Sequence, residues 1–237
     1  MGPLRPALLS FDVFGTLISV RDGSYPAFES ILAEVGGRAV DVKAFFEHWE
    51  ARNIAHYWEP YRRYRDICAL SLAESFEHYG LRGDERLVER YFAAFPGFRL
   101  YPDVAATLDA LARRHRLAVV SNIDDDLLAL TPLGRGFDLV CTAERARGYK
   151  PDGTLFRHLI DQARARFGIG LDGILHAGQS QFTDMVGAKP LGLAVAWINR
   201  RDVALHASVP RPDHVLPDVA SLLSLIAPGD ATRADAP

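Results

Sequence analysis

The chain has 237 residues, 49% of them hydrophobic, and a formal net charge of −3. That apolar content supports one sizeable core, or a core plus a smaller inserted domain. The near-balanced charge argues against a nucleic-acid binder, which is usually plainly basic. The best apolar run, residues 191–198, is strand length and too short to span a bilayer.

Cys68 and Cys141 lie far apart without metal-type spacing and read as free thiols of a reducing cytosol. The first six residues lack the apolar centre of a signal peptide, so a cytoplasmic protein is expected. The first predicted strand, 7–11, drives into Asp12, and Gly15-Thr16 follow. A buried parallel strand ends this way when it presents a carboxylate at its carboxyl edge, where open α/β sheets hold ligands. Asp12 is the candidate nucleophile, since a carboxylate can attack carbon or phosphorus and form an ester or acyl phosphate that water then cleaves. The competing explanation is a turn-forming Asp at a strand end.

Helical spacing follows at 25–35, ended by Gly36-Gly37, at 42–58, meeting Pro60, at 64–79, closed by Gly80, and at 85–95, stopped by Pro96-Gly97. No strand is expected between about 20 and 96, so this block reads as an inserted helical cap. The expected domains are a core of 1–19 and 97–227, a cap of 20–96, and a disordered Ala/Asp/Pro-rich tail at 228–237. Asp103 is expected to cap a helix running to about 115. Strands at 116–121, 137–141, 174–177, 194–198 and 214–216 then alternate with helices at 124–130, 152–167, 184–189 and 218–226. This alternation predicts an α/β fold, a Rossmann-like doubly wound parallel sheet with right-handed crossovers. Four carboxyl strand ends then carry polar residues: Asp12, Ser121-Asn122, Lys150, and the stretch 179–184.

These four stretches resemble the motifs of the haloacid dehalogenase superfamily. Phe11-Asp12-Val13-Phe14-Gly15-Thr16-Leu17 is similar to the first, Ser121-Asn122 to the second, Tyr149-Lys150-Pro151 to the third, and Gly178 through Asp184 to the fourth. Trp197-Ile198-Asn199-Arg200 also resembles the strand after the fourth motif in the 2-haloacid dehalogenase branch. The resemblance runs from Phe11 to Arg200 and implies a Rossmann-like core with a helical cap over the site. Phosphatases of the superfamily carry a second Asp two residues after the nucleophile, as general acid for the leaving alcohol. Here that position is Phe14, as in the dehalogenase branch, and losing such an acid costs about 10²–10⁴-fold.

The resemblance therefore implies that Asp12 attacks the carbon next to the carboxylate of a small 2-substituted acid. Lys150 would lie between Asp12 and Asp184 and keep both ionised, and no metal or other cofactor is expected. Thr16 and Ser121 would position carboxylates, and Asn122 would offer its amide to the substrate. Asp184 with Lys150, helped by Gln179 or Gln181, would hold the hydrolytic water. Phe14, Trp49, Glu50, Asn53 and Tyr57 would line the substrate site. Relatives in this branch are often homodimers, and that analogy alone suggests a homodimer.

The chain departs from the dehalogenases in its cap. They carry Trp-Arg there, and the Arg helps cradle the departing halide. Aligned on Trp49, the matching residue is Glu50, with Asn53 one turn on and Arg52 on another face, two residues along a helix being about 200° around. A carboxylate would repel a departing halide and attract a departing amine. Azetidine-2-carboxylate hydrolase, a relative of these dehalogenases, opens a strained nitrogen ring next to a carboxylate. That substrate, opened to 2-hydroxy-4-aminobutyrate, is the favoured expectation. C–halogen hydrolysis is the alternative, with a phosphatase or a non-enzymatic member behind it. Trp49, Tyr57, Trp58, Tyr61 and Tyr64 would flank a cationic ring by contacts worth roughly 0.5–2 kcal/mol each. An aromatic-rich helical face in a cap is more often packing than ligand contact, and Glu50 would then pair with Arg52 or Arg63 in solvent. Gln179 and Gln181 replace the usual Ser and Asn of the fourth motif, and Phe156 replaces a Tyr.

Overall fold

A computed structural model describes residues 4–226; the tail expected at 228–237 lies outside them. Strand β1 (Leu8–Phe11) is wholly buried, as a strand covered on both faces must be. Its two-residue period divides the core. Leu9 and Phe11 join one apolar cluster and Leu8 the other, which puts Ser10 on the side of Leu8. Gly15 then turns the chain at φ +88°, a region that favours glycine.

After β2 (Ile18–Ser19) comes the helical region: α1 (Val20–Glu34), α2 (Val42–His56), α3 (Tyr64–His78) and α4 (Glu89–Ala93). Strand β3 (Arg99–Leu100) returns antiparallel to β2. Then follow α5 (Val104–Ala112), β4 (Arg116–Ser121), α6 (Asp125–Leu130), β5 (Leu139–Thr142), α7 (Ala143–Ala146) and α8 (Thr154–Phe167). The chain continues through β6 (Ile174–Gly178), a π-helical turn at Gln181–Met185, α9 (Val186–Ala188), β7 (Ala194–Ile198), β8 (His214–Leu216) and α10 (Leu222–Leu225). The six longer-range strands form one parallel sheet in the order β5-β4-β1-β6-β7-β8. The chain leaves β1 toward one side and returns on the other, so β1 stands at the switch point where the carboxyl ends open a crevice. Among the described residues no helix is long and apolar enough to cross a membrane.

Several boundaries differ from the expectations. Helix α1 begins at Val20 and takes Pro26 inside, because burying Ser24, Ala27, Phe28, Ile31 and Leu32 on one side outweighs local propensity. The 85–95 helix divides into a 3-10 turn (Glu85–Val88) and α4. The β2–β3 pair was not expected, since two residues per strand are too few to show alternation. Asp103 stands at the N-cap of α5, but its side chain makes no capping bond; its carboxylate takes Arg200 Nη1 at 2.8 Å and the Val219 backbone N–H at 2.9 Å. The last helix shrinks to α10.

The helical region is fastened to the sheet. Its aromatics Phe28, Phe45, Trp49 and Phe92 share one apolar cluster with Phe11 and Val119 of the sheet. Asp124, just past β4, accepts from the backbone N–H groups of Tyr64 (3.0 Å) and Arg65 (3.1 Å) at the start of α3. It thus satisfies a helix terminus from across the junction. Burial pushes its carboxyl up, and the two N–H donors oppose that. Tyr149 stacks on Tyr57 with ring centroids 4.5 Å apart. Replacing Asp124 with Ala should lower stability by about 0.5–2 kcal/mol, read as a lower urea midpoint at unchanged m.

Candidate active site

The sheet places Asp12 one residue beyond β1, where its backbone N–H still bonds Ala177 O at 3.0 Å. Lys150 sits in the loop before α8, its backbone N–H held by Asn122 Oδ1 at 2.9 Å. Its ammonium lies 2.5 Å from Asp12 Oδ1 and 2.7 Å from Asp184 Oδ1. Thr16 Oγ1 donates to Asp12 Oδ2 at 2.7 Å and accepts the Gln179 N–H at 2.9 Å. Ser180 N–H holds Asp184 Oδ2 at 2.9 Å. Each carboxylate oxygen of the pair thus has a donor, which buried charge requires.

These groups are buried: Lys150 is 2% exposed, Asp12 6% and Asp184 0%. Burial pushes the Asp12 carboxyl above its ordinary value; Lys150 opposes this and the Asp184 charge adds to it. Burial also works against ionised Asp184, but Lys150 and His176 more than offset it and hold Asp184 well below the carboxylate range. Lys150 lies above its ordinary value: burial opposes its charge, and the two carboxylates outweigh that. The two acids therefore pull stability in opposite directions with pH. Asp184 contributes stability above its ordinary value that is lost as pH falls. Asp12 contributes stability below its ordinary value that is lost as pH rises through its folded value.

A cavity of about 320 Å³ opens between the sheet edge and the helical region. That is near the lower end for ligand sites and suits a small molecule. From the core side Asp12, Phe14, Ser121, Asn122, Lys150 and Gln179 reach its wall; from α2 and the turn after it come Trp49, Glu50, Asn53 and Tyr57. Asn122 spends its Oδ1 on Lys150 and keeps its Nδ2 donors. Glu50 has open surface, but that surface faces the cavity. This enclosure pushes its carboxyl up, against the pull of Arg201 and Arg21, which also line the wall. It does not pair with Arg52 or Arg63: Arg52 bonds Glu74 at 2.6 Å, and Arg63 reaches Asp126 and Glu144.

Several side chains make contacts that the expectations did not include. Gln181 lines the cavity, and its amide also reaches the loop beyond β7, donating to Ala204 O (3.0 Å) and accepting the His206 N–H (2.7 Å). Asp184 is sealed behind Lys150 and off the cavity wall, so it meets the lysine and not the cavity. Trp58 is 56% exposed, and Tyr61 lies under the Arg147 guanidinium at 4.1 Å, so neither lines the cavity. Phe156 packs edge-on against His176, centroids 4.8 Å apart.

Supporting residues emerge that the motifs did not name. Arg200 donates to Thr16 O at 3.1 and 2.9 Å while gripping Asp103, and Trp197 Nε1 donates to Gln179 O at 2.9 Å. The Trp-Ile-Asn-Arg run was the signal for both. His176 lies beneath Asp184 and carried no signal, being one polar residue in an apolar strand. Among the described residues no group of three or more His, Cys, Asp or Glu is placed to share a metal ion, and Lys150 Nζ holds the position between the two acids.

A buried Asp–Lys–Asp cluster at the switch point of a parallel sheet, roofed by helices, defines a Rossmann-like α/β enzyme of the hydrolase type. A family profile for haloacid dehalogenase-like hydrolases matches residues 7–192, and the chain belongs to that family. It is similar to haloacetate dehalogenase H-2 of Moraxella sp. (strain B), 28% identical over 92% of this chain and 97% of the relative. It is also similar to (S)-2-haloacid dehalogenase H-109 of Pseudomonas putida, 25% identical over 81% and 84% of the two chains. The structure of the L-2-haloacid dehalogenase from Xanthobacter autotrophicus with chloropropionic acid covalently bound matches at a TM-score of 0.76 and 22% identity. It covers 93% of this chain and 98% of that one, a likeness of fold.

Replacing Lys150 with Met leaves two buried carboxylates without a countercharge. The expected loss is about 3–5 kcal/mol at pH 7. It should be smaller at pH 5, where protonation relieves the repulsion, as measured by denaturant unfolding at the two pH values.

Proposed function

We propose that Asp12 displaces the 2-substituent of a small carboxylic acid through an aspartyl ester, and that the substituent is a halogen. The observation that carries this reading is the Asp12–Lys150–Asp184 cluster on the cavity, with Phe14 where a phosphatase would need an acid. One carboxylate oxygen attacks the α-carbon, and the carbon–halogen pair leaves with the halide. Water then adds to the ester carbonyl carbon of Asp12; the 2-hydroxy acid departs, Asp12 is regenerated, and one proton is released. Lys150 Nζ and Thr16 Oγ1, each on one Asp12 oxygen, are the donors for the negative charge that builds during that addition. Asp184 keeps the lysine in place when alkylation removes the Asp12 charge. The block 20–96 acts as a cap that excludes bulk water. With Lys150 between the acids, the reaction runs without a metal.

The sequence put a strained C–N bond ahead of a C–halogen bond. The names of the relatives, haloacetate and (S)-2-haloacid dehalogenase, favour the reverse order. Ring opening of azetidine-2-carboxylate stays as a second reading because of one observation: Glu50, an acid, stands on the cavity wall where a halide cradle would want a cation.

Incubation with L-2-chloropropionate should release chloride, undiminished by EDTA. One turnover in ¹⁸O water with excess enzyme should label the Asp12 peptide. Asp12→Asn should show neither, and opening of azetidine-2-carboxylate without chloride release would reverse the order of the two readings. The acid limb of kcat/KM should lie above pH 3.8, the ordinary Asp value, because burial raises Asp12. Glu50→Gln should raise kcat/KM for chloropropionate, by removing a like charge, and lower any ring-opening rate.

A further inference from the structure

Beneath the charged cluster lies a second layer that the family motifs do not name. His176 is the middle residue of β6, between Leu175 and Ala177, and has no exposed surface. One ring nitrogen, Nδ1, lies 3.0 Å from Ser10 Oγ of the neighbouring strand β1. The other, Nε2, lies 3.3 Å from Asp184 Oδ1, the same oxygen that takes Lys150 Nζ at 2.7 Å. A carboxylate only accepts, so the hydrogen of this bond sits on Nε2 and Nδ1 is left to the serine. The register supports the contact, since Ser10 and His176 are direct partners in the parallel β1–β6 pair. Phe156 closes the far side of the ring edge-on. Gly178 leaves the room: a Cβ there would collide with Asp184 Oδ2 and sit 2.8 Å from His176 Nε2.

We propose that His176 is a positioning residue of the active site, oriented by Ser10 and holding Asp184 so that its carboxylate keeps the Lys150 ammonium on Asp12. The chain Ser10–His176–Asp184–Lys150–Asp12 then runs from the buried strand to the reacting oxygen. A polar side chain inside an apolar strand is costly to bury unless its bonds are met, and here both ring nitrogens are engaged within the site. His176 touches no cavity wall, so it acts only through Asp184. The inference rests on the reading of Asp12 as nucleophile only for its catalytic consequence; the positioning itself is read without substrate.

The test is a double-mutant cycle on acid unfolding, followed by circular dichroism. His176→Leu should move the acid-unfolding midpoint upward by about one pH unit, because Asp184 loses a donor to its charged form. In an Asp184→Asn background the same replacement should leave the midpoint unmoved. His176→Gln, which keeps an N–H donor, should return it toward wild type. A shift that persists in the Asp184→Asn background would show packing alone and overturn the proposal, as would no shift in the first comparison. With a turned-over substrate, His176→Leu should also lower kcat by roughly 10²-fold, the scale of a group misplaced by about 1 Å, with KM little changed and kcat restored in His176→Gln. If wild type turns over no 2-substituted acid, the Asp12 reading fails while the unfolding cycle still decides the role of His176.

Discussion

One buried ammonium organises this molecule. Lys150 Nζ is the common partner of Asp12 and Asp184, which come from loops after different strands and would repel each other without it. Breaking such a pair by removing one member leaves a charge that the interior cannot solvate. The strands that deliver the three residues must therefore meet at one edge, and the parallel order around β1 achieves that.

The surroundings serve the same cluster in layers. Thr16 bonds Asp12 and is held through its own carbonyl by Arg200, whose guanidinium also lies 4.0 Å from the Tyr101 ring centroid. Arg200 is in turn fixed by Asp103, so the loop after β1 is tied to the loop after β7 and to the segment before α5. Trp197 fixes the Gln179 carbonyl, and Gln179 returns its N–H to Thr16. On the opposite wall α2 presents Glu50 and Asn53 one turn apart, beside Arg21 and Arg201 from other segments, so charges of both signs face Asp12 across the cavity.

The legible parts of the sequence were those where one residue type at one strand end has few explanations. Asp12, Ser121-Asn122 and Lys150 were placed by the strand–turn pattern, and the structure brings them to one cavity. Glu50 was found by counting along a helix from Trp49, and it reaches the same wall. Other contacts were not legible because the partners lie far away in the chain. Gln181 lines the cavity as expected, but its bonds to Ala204 and His206 in the 199–209 loop had no local signal. Asp103 looked like a helix cap but answers to Arg200, 97 residues on.

By itself the sequence determined the alternation of strands and helices, the long helical insertion, and the chemistry available at each strand end. Those are local matters of hydrophobic period and side-chain type. Only the tertiary structure decided that Asp184 is shut off from the cavity wall, that His176 lies beneath Asp184, and that Asp124 closes the start of α3 from across the junction. Each of these is a contact or an enclosure that local sequence does not specify, even where, as with His176 and Asp184, the residues are only eight apart. Its formation depends on sheet register and on how deeply the groups are buried, and neither quantity is written in any short run of residues.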